Sequence, residues 1–78
     1  GIRLMSDYEI GIYNQRVRDC IRSGEDWTDP TISADYENVL YSTIHAASIE
    51  EVERRAAVLY PKDMGFKLDF VRLITKGE

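Results

Sequence analysis

The chain has 78 residues, 44% hydrophobic and 31% charged, which bounds it to one small globular domain and excludes wholesale disorder. Ten basic residues against fourteen acidic ones leave a net charge of −4, which argues against a general nucleic-acid binder whose affinity comes from phosphate neutralisation. A single cysteine excludes an intrachain disulfide, and no apolar run approaches the roughly 18 residues of a membrane span.

Met5-Ser6-Asp7 reads as a natural start, so Gly1 to Leu4 read as a cloning remnant and residues 5–78 as the domain. Tyr8, Ile10 and Ile12 alternate with Glu9, Gly11 and Tyr13, which predicts a first strand. Asn14 suits an N-cap. Val17, Cys20, Ile21 and Gly24 then follow at helical spacing, giving a short helix of about ten residues that Gly24 stops.

Residues 24–37 have no sustained period. Asp29-Pro30 marks a boundary, because proline biases the residue before it away from helix. The reading is a loop with one helical turn near Ser33–Glu37, held to the core by Trp27, Ile32 and Tyr36. Asn38 to Ala47 is a second strand, with Leu40, Ser42, Ile44 and Ala46 on one face and Val39, Tyr41, Thr43 and His45 on the other.

Ser48-Ile49-Glu50-Glu51 is a capping box, a serine acceptor with glutamate at the N3 position. Ile49, Val52, Ala56, Leu59 and Tyr60 fall within one third of a turn and predict a helix that Pro61 ends. Phe66, Leu68 and Phe70 alternate with Lys67 and Asp69 in a third strand, with both phenylalanines expected in the core. Val71 and Leu73 shift the phase, which predicts a bulge or a fraying end.

The expected fold is therefore α+β, in the order β-α-loop-β-α-β. A small three-stranded mixed sheet carries two helices on one face, with the first strand between the other two and antiparallel to both.

Chemical motifs are sparse. His45 is the one imidazole and Cys20 the one thiol, so a Cys20–His45 pair is the one nucleophilic dyad of that kind the chain offers. Cys20 lies on the apolar stripe of a helix, where it serves as a small hydrophobe. Paired Cys or His spacings for zinc are absent, and Asp26 and Asp29 do not belong to a twelve-residue calcium-loop pattern. No catalytic residue, metal ligand or cofactor is assigned.

The acid is concentrated instead. Residues 24–38 carry Glu25, Asp26, Asp29, Asp35 and Glu37 with no base, while the rest of the chain is close to balanced. Such a block either solubilises a loop or attracts a basic partner surface. Arg16, Arg18 and Arg22 on the first helix read as arginines snorkelling over apolar surface, or as partners for carboxylates. Trp27 and Tyr36 lie inside the acidic block, and interface hot spots are enriched in these residue types.

Ala46, Ser48, Ile49, Glu50 and Glu51, then Ala56 and Tyr60, then Gly65, Phe66, Leu68, Val71 and Arg72, resemble the small host RNA polymerase inhibitors of lytic coliphages over about a third of the chain. The resemblance implies a short intracellular protein without catalysis or cofactor that binds the large polymerase subunits and blocks promoter-complex formation. It implies a polymerase contact at Arg72. A second arginine of the family, two residues earlier, is Phe70 here.

The functional expectation is a non-enzymatic, phage-derived regulator that occludes a basic surface on a host protein, RNA polymerase first. Its contacts are expected at Trp27, Asp29, Asp35, Tyr36 and Arg72. No direct nucleic-acid or membrane contact is expected, and a cytoplasmic monomer is favoured. The alternatives are a nucleic-acid mimic directed at a defence nuclease or CRISPR complex, and an assembly protein that oligomerises through a sheet edge.

Overall fold

The computed structural model describes residues 4–74. The expected remnant at residues 1–4 therefore lies outside the described residues except for Leu4. The elements are β1 (Ser6–Asn14), α1 (Gln15–Arg22), a one-turn 3-10 helix (Ala34–Glu37), β2 (Leu40–Ala46), α2 (Ile49–Leu59), a second 3-10 turn (Lys62–Met64) and β3 (Phe66–Leu73). They form a small α+β domain with two helices on one face of a three-stranded sheet, in the expected order.

The sheet runs β2-β1-β3, and both ladders are antiparallel. The outer strands consequently point the same way, with β1 reversed between them. Tyr8, Ile10 and Ile12 of β1 are buried beneath the helices, together with Ile44 and Ala46 of β2, Val17 of α1, and Val52 and Ala56 of α2. The alternation in β1 and β2 thus sorts side chains as the period of two requires.

Asn14 joins the sheet to α1. Its Oδ1 accepts the Arg16 and Val17 N–H groups at 2.9 and 3.2 Å, satisfying two of the helix's open donors. Its Nδ2 donates to the Met64 carbonyl at 3.1 Å. The side chain is fully buried, and each of its polar atoms is paired. Gly65, at φ 98°, passes so close that a Cβ there would lie 2.7 Å from Asn14 Oδ1. At the other end of α1, Gly24 N–H donates to Ile21 O and Glu25 N–H to Cys20 O, the paired bonds of a Schellman ending with Gly24 left-handed.

In the capping box of α2, Ser48 Oγ accepts the Glu51 N–H at 3.2 Å, while Glu51 Oε1 reaches past Ser48 to accept the Ala47 N–H at 2.8 Å. The apolar stripe of α2 is covered unevenly, and Tyr60 just past its end packs against the core. Val52 and Ala56 are buried, whereas Ile49 and Leu59 are 48% and 62% exposed. A three-stranded sheet is too narrow to cover both ends of an eleven-residue helix.

The phase shift in β3 is a bulge. Gly11 faces Phe70 and Ile12 faces Leu68, which leaves Asp69 as the extra residue. This corrects the expectation for Phe70. Phe66 enters the core, but the bulge turns Phe70 onto the face of the sheet without helices, while Val71 packs against the core.

Candidate functional site

The acidic segment has defined structure. After the Schellman ending, the Cys20 thiol sits 3.4 Å from the Asp26 carbonyl. Trp27 Nε1 then donates to the Ile32 carbonyl at 2.8 Å, closing the loop on itself, and Ile32 is buried in the core. Asp29 Oδ1 accepts the Thr31 N–H at 2.8 Å and the Thr31 hydroxyl at 2.6 Å. These bonds, the hydroxyl first, hold the Asp29 carboxyl below its usual range. Ser33 Oγ accepts the Asp35 N–H and starts the 3-10 turn. Arg18 Nε donates to Glu37 O at 2.9 Å, tying the end of the segment to α1.

Tyr36 fixes the segment to the rest of the molecule. Its ring meets Phe66 edge-on at 5.3 Å and Tyr60 at 6.3 Å. Burial raises the Tyr36 phenol above its ordinary value, with the neighbouring Tyr60 adding to the effect. The result is a set of outward carboxylates on a pinned backbone. Glu25, Asp26, Asp29 and Asp35 are exposed, and among the described residues none of them pairs with a lysine or arginine.

The expected contact residues do not form one surface. Trp27 and Tyr36 pack against the core on the helix side, and the Trp27 indole N–H is already used within the loop. Asp29 and Asp35 project from the same segment. Arg72 instead stands opposite Glu9 on the other face of the sheet, where the two form an ion pair.

That open face has its own cluster. Gly11 lets Phe70 lie over β1: a Cβ at position 11 would collide with the Phe70 ring and come within 2.8 Å of Val39 Cγ1. Tyr41 meets Phe70 with ring centres 5.8 Å apart, and the Arg72 guanidinium lies 5.9 Å from the Phe70 ring centre. Arg18 reaches over Tyr13 at 3.8 Å. His45 Nδ1 is 2.7 Å from Asp7 Oδ1. The sequence shows the members of this cluster, but not that a bulge would bring Phe70 to them. The phase shift at Val71 and Leu73 signals a bulge, but not that Asp69 is the residue it expels.

The Cys20–His45 dyad is not assembled, since His45 lies on the open face and Cys20 on a helix across the sheet. Among the described residues no group of three or more His, Cys, Asp or Glu side chains is placed to hold a metal ion. None of their helices is long and apolar enough to cross a membrane. A cavity of about 570 Å³ opens between α2 and β3, and nothing in the sequence pattern marks it.

Comparison of the chain with protein-family models, curated proteins and solved structures returns no significant match.

Proposed function

We propose that this protein is a non-enzymatic, phage-derived regulator that uses its acidic segment to occupy a basic surface on a larger host protein. The observation that carries the reading is the pinned backbone of residues 25–37 with four exposed carboxylates that, among the described residues, no lysine or arginine pairs with. Fixed like charges lose little entropy on docking and accelerate encounter with a surface of opposite sign. Host RNA polymerase is the first candidate, on the strength of the resemblance over Ala46 to Arg72. Arg72 is paired with Glu9 across the sheet, so the proposed contact is narrowed to the acidic segment.

The test is binding of the full chain to immobilised bacterial RNA polymerase core enzyme as salt rises from about 50 to about 500 mM. The expected result is an association rate that falls steeply with salt. Combined Glu25→Lys, Asp26→Lys and Asp35→Asn changes are expected to lower affinity at least about tenfold with the melting temperature unchanged. Equal binding by that variant, or no binding by the parent, overturns the proposal.

A further inference from the structure

The cavity beside α2 and the outer edge of β3 belong to one surface. Glu53, Ala56, Ala57 and Tyr60 recur at three- and four-residue spacing and so share a face of α2. That face forms one wall of the cavity, and Ile12 and Leu68 contribute from the sheet. Two small alanines leave the space open, and the short sheet has no further strand to fill it.

The opening lies at the sheet edge. Leu68 stands opposite Ile12, on the helix side, whereas Lys67 stands opposite Tyr13 on the other face. The cavity is lined by Leu68 and its neighbour Lys67, and β3 is an outer strand of the sheet. Its outward N–H and C=O groups therefore lie beside a recess that is apolar at Ile12, Ala56, Ala57 and Leu68 and charged at Glu53, Lys62 and Lys67. Lys62 also lines the recess, and among the described residues neither Lys62 nor Lys67 has an ion-pair partner.

These features together fit one kind of occupant. An extended chain bonds its main chain to an exposed strand and drops alternate side chains into the neighbouring groove. Two lysines against the single Glu53 favour an acidic chain. The bulge at Asp69 interrupts regular pairing, which confines the added strand to the start of β3 and discourages sheet growth. We propose that the outer edge of β3 accepts an extended acidic segment of a protein partner, with one apolar side chain in the cavity and a carboxylate at Lys62 or Lys67. This contact does not require the one assigned above to the acidic segment.

The experiment is an NMR titration of the isotope-labelled full chain with a short acetylated peptide of alternating valine and aspartate. Amide shifts are expected at residues 66–68, Ala57 and Tyr60. The same peptide N-methylated at alternate positions is expected to give none, because it cannot pair with a strand. Lys62→Glu with Lys67→Glu is expected to weaken binding about fivefold, and Ala57→Trp to abolish it by filling the recess, with the sheet resonances of both variants preserved. Shifts confined to other regions, or unimpaired binding of the N-methylated peptide, overturn the proposal. So does the absence of any shift at about 1 mM peptide, including the case where decanoate alone fills the cavity.

Discussion

The Phe70 ring occupies the space that a side chain at Gly11 would need. The contact covers the middle of β1 on the face that no helix protects, and it depends on the bulge at Asp69 to bring the ring there. Gly11→Ala is expected to destabilise the domain by about 1–3 kcal/mol through overpacking, measured by urea unfolding. In a double-mutant cycle with Phe70→Ala the two costs are expected to be clearly less than additive. Additive costs would mean that the ring does not rest on Gly11.

Asn14 caps α1 and also holds the turn before β3. Asn14→Ala is expected to cost about 2–3 kcal/mol, combining a lost cap with an unpaired carbonyl at Met64. Asn14→Asp keeps the acceptor for the helix but loses the donor to Met64 O. It is expected to remain less stable than the parent at neutral pH, by the same unfolding measurement.

Trp27 closes the acidic segment through one hydrogen bond. Trp27→Phe keeps an aromatic ring and removes that bond, at an expected cost of about 1 kcal/mol. Hydrogen exchange should locate the effect. Amides of residues 27–37 are expected to exchange faster while those of β1 remain protected.

Two groups give opposite pH responses. The folded state holds the Asp29 carboxyl below its ordinary value, so the stabilisation is present above the unfolded value and is lost as pH falls through the folded one. Asp29→Asn is expected to flatten the acid limb of a stability–pH curve. The folded state raises the Tyr36 phenol. Above the unfolded value near 10 the unfolded chain gives up this proton first, so stability falls as pH rises further. Tyr36→Phe is expected to reduce that alkaline loss in thermal melts.

The apolar stripe of α2 divides energetically. Val52→Ala is expected to cost about 2 kcal/mol because the side chain is fully buried. Leu59→Ser is expected to change stability by less than about 0.5 kcal/mol, although both residues lie on the same helical stripe. Chemical denaturation of the two variants checks the contrast.

The fold was largely legible because local and global signals agree in it. Alternation fixed the faces of β1 and β2, Asn14 and Ser48 announced the two helices, and Gly24 and Pro61 stopped them. The crossover from β2 through α2 to β3 implied outer strands that run the same way, which left the central place to β1. Phe70 was misplaced because a period-two pattern carries no trace of which residue a bulge expels. The exposure of Ile49 and Leu59 was not legible, because helical periodicity shows which face is apolar, not how wide a sheet lies beneath it. The acidic segment was visible as charge, but its order rests on Trp27–Ile32 and Tyr36–Phe66, contacts that only the folded chain creates. The recess beside Ala57 had no sequence signature, since missing side-chain volume looks like any other alanine pair.

β1 is translated first, yet it lies in the centre of the sheet between strands made later. When it leaves the ribosome, neither flanking strand has yet emerged, and Ile10 and Ile12 have no partners to hide against. The first ladder becomes available only with β2, and the second waits for the last strand of the domain. Folding therefore couples the first and last strands of the domain, and a polypeptide stalled before β3 would expose one whole side of its central strand to other nascent chains.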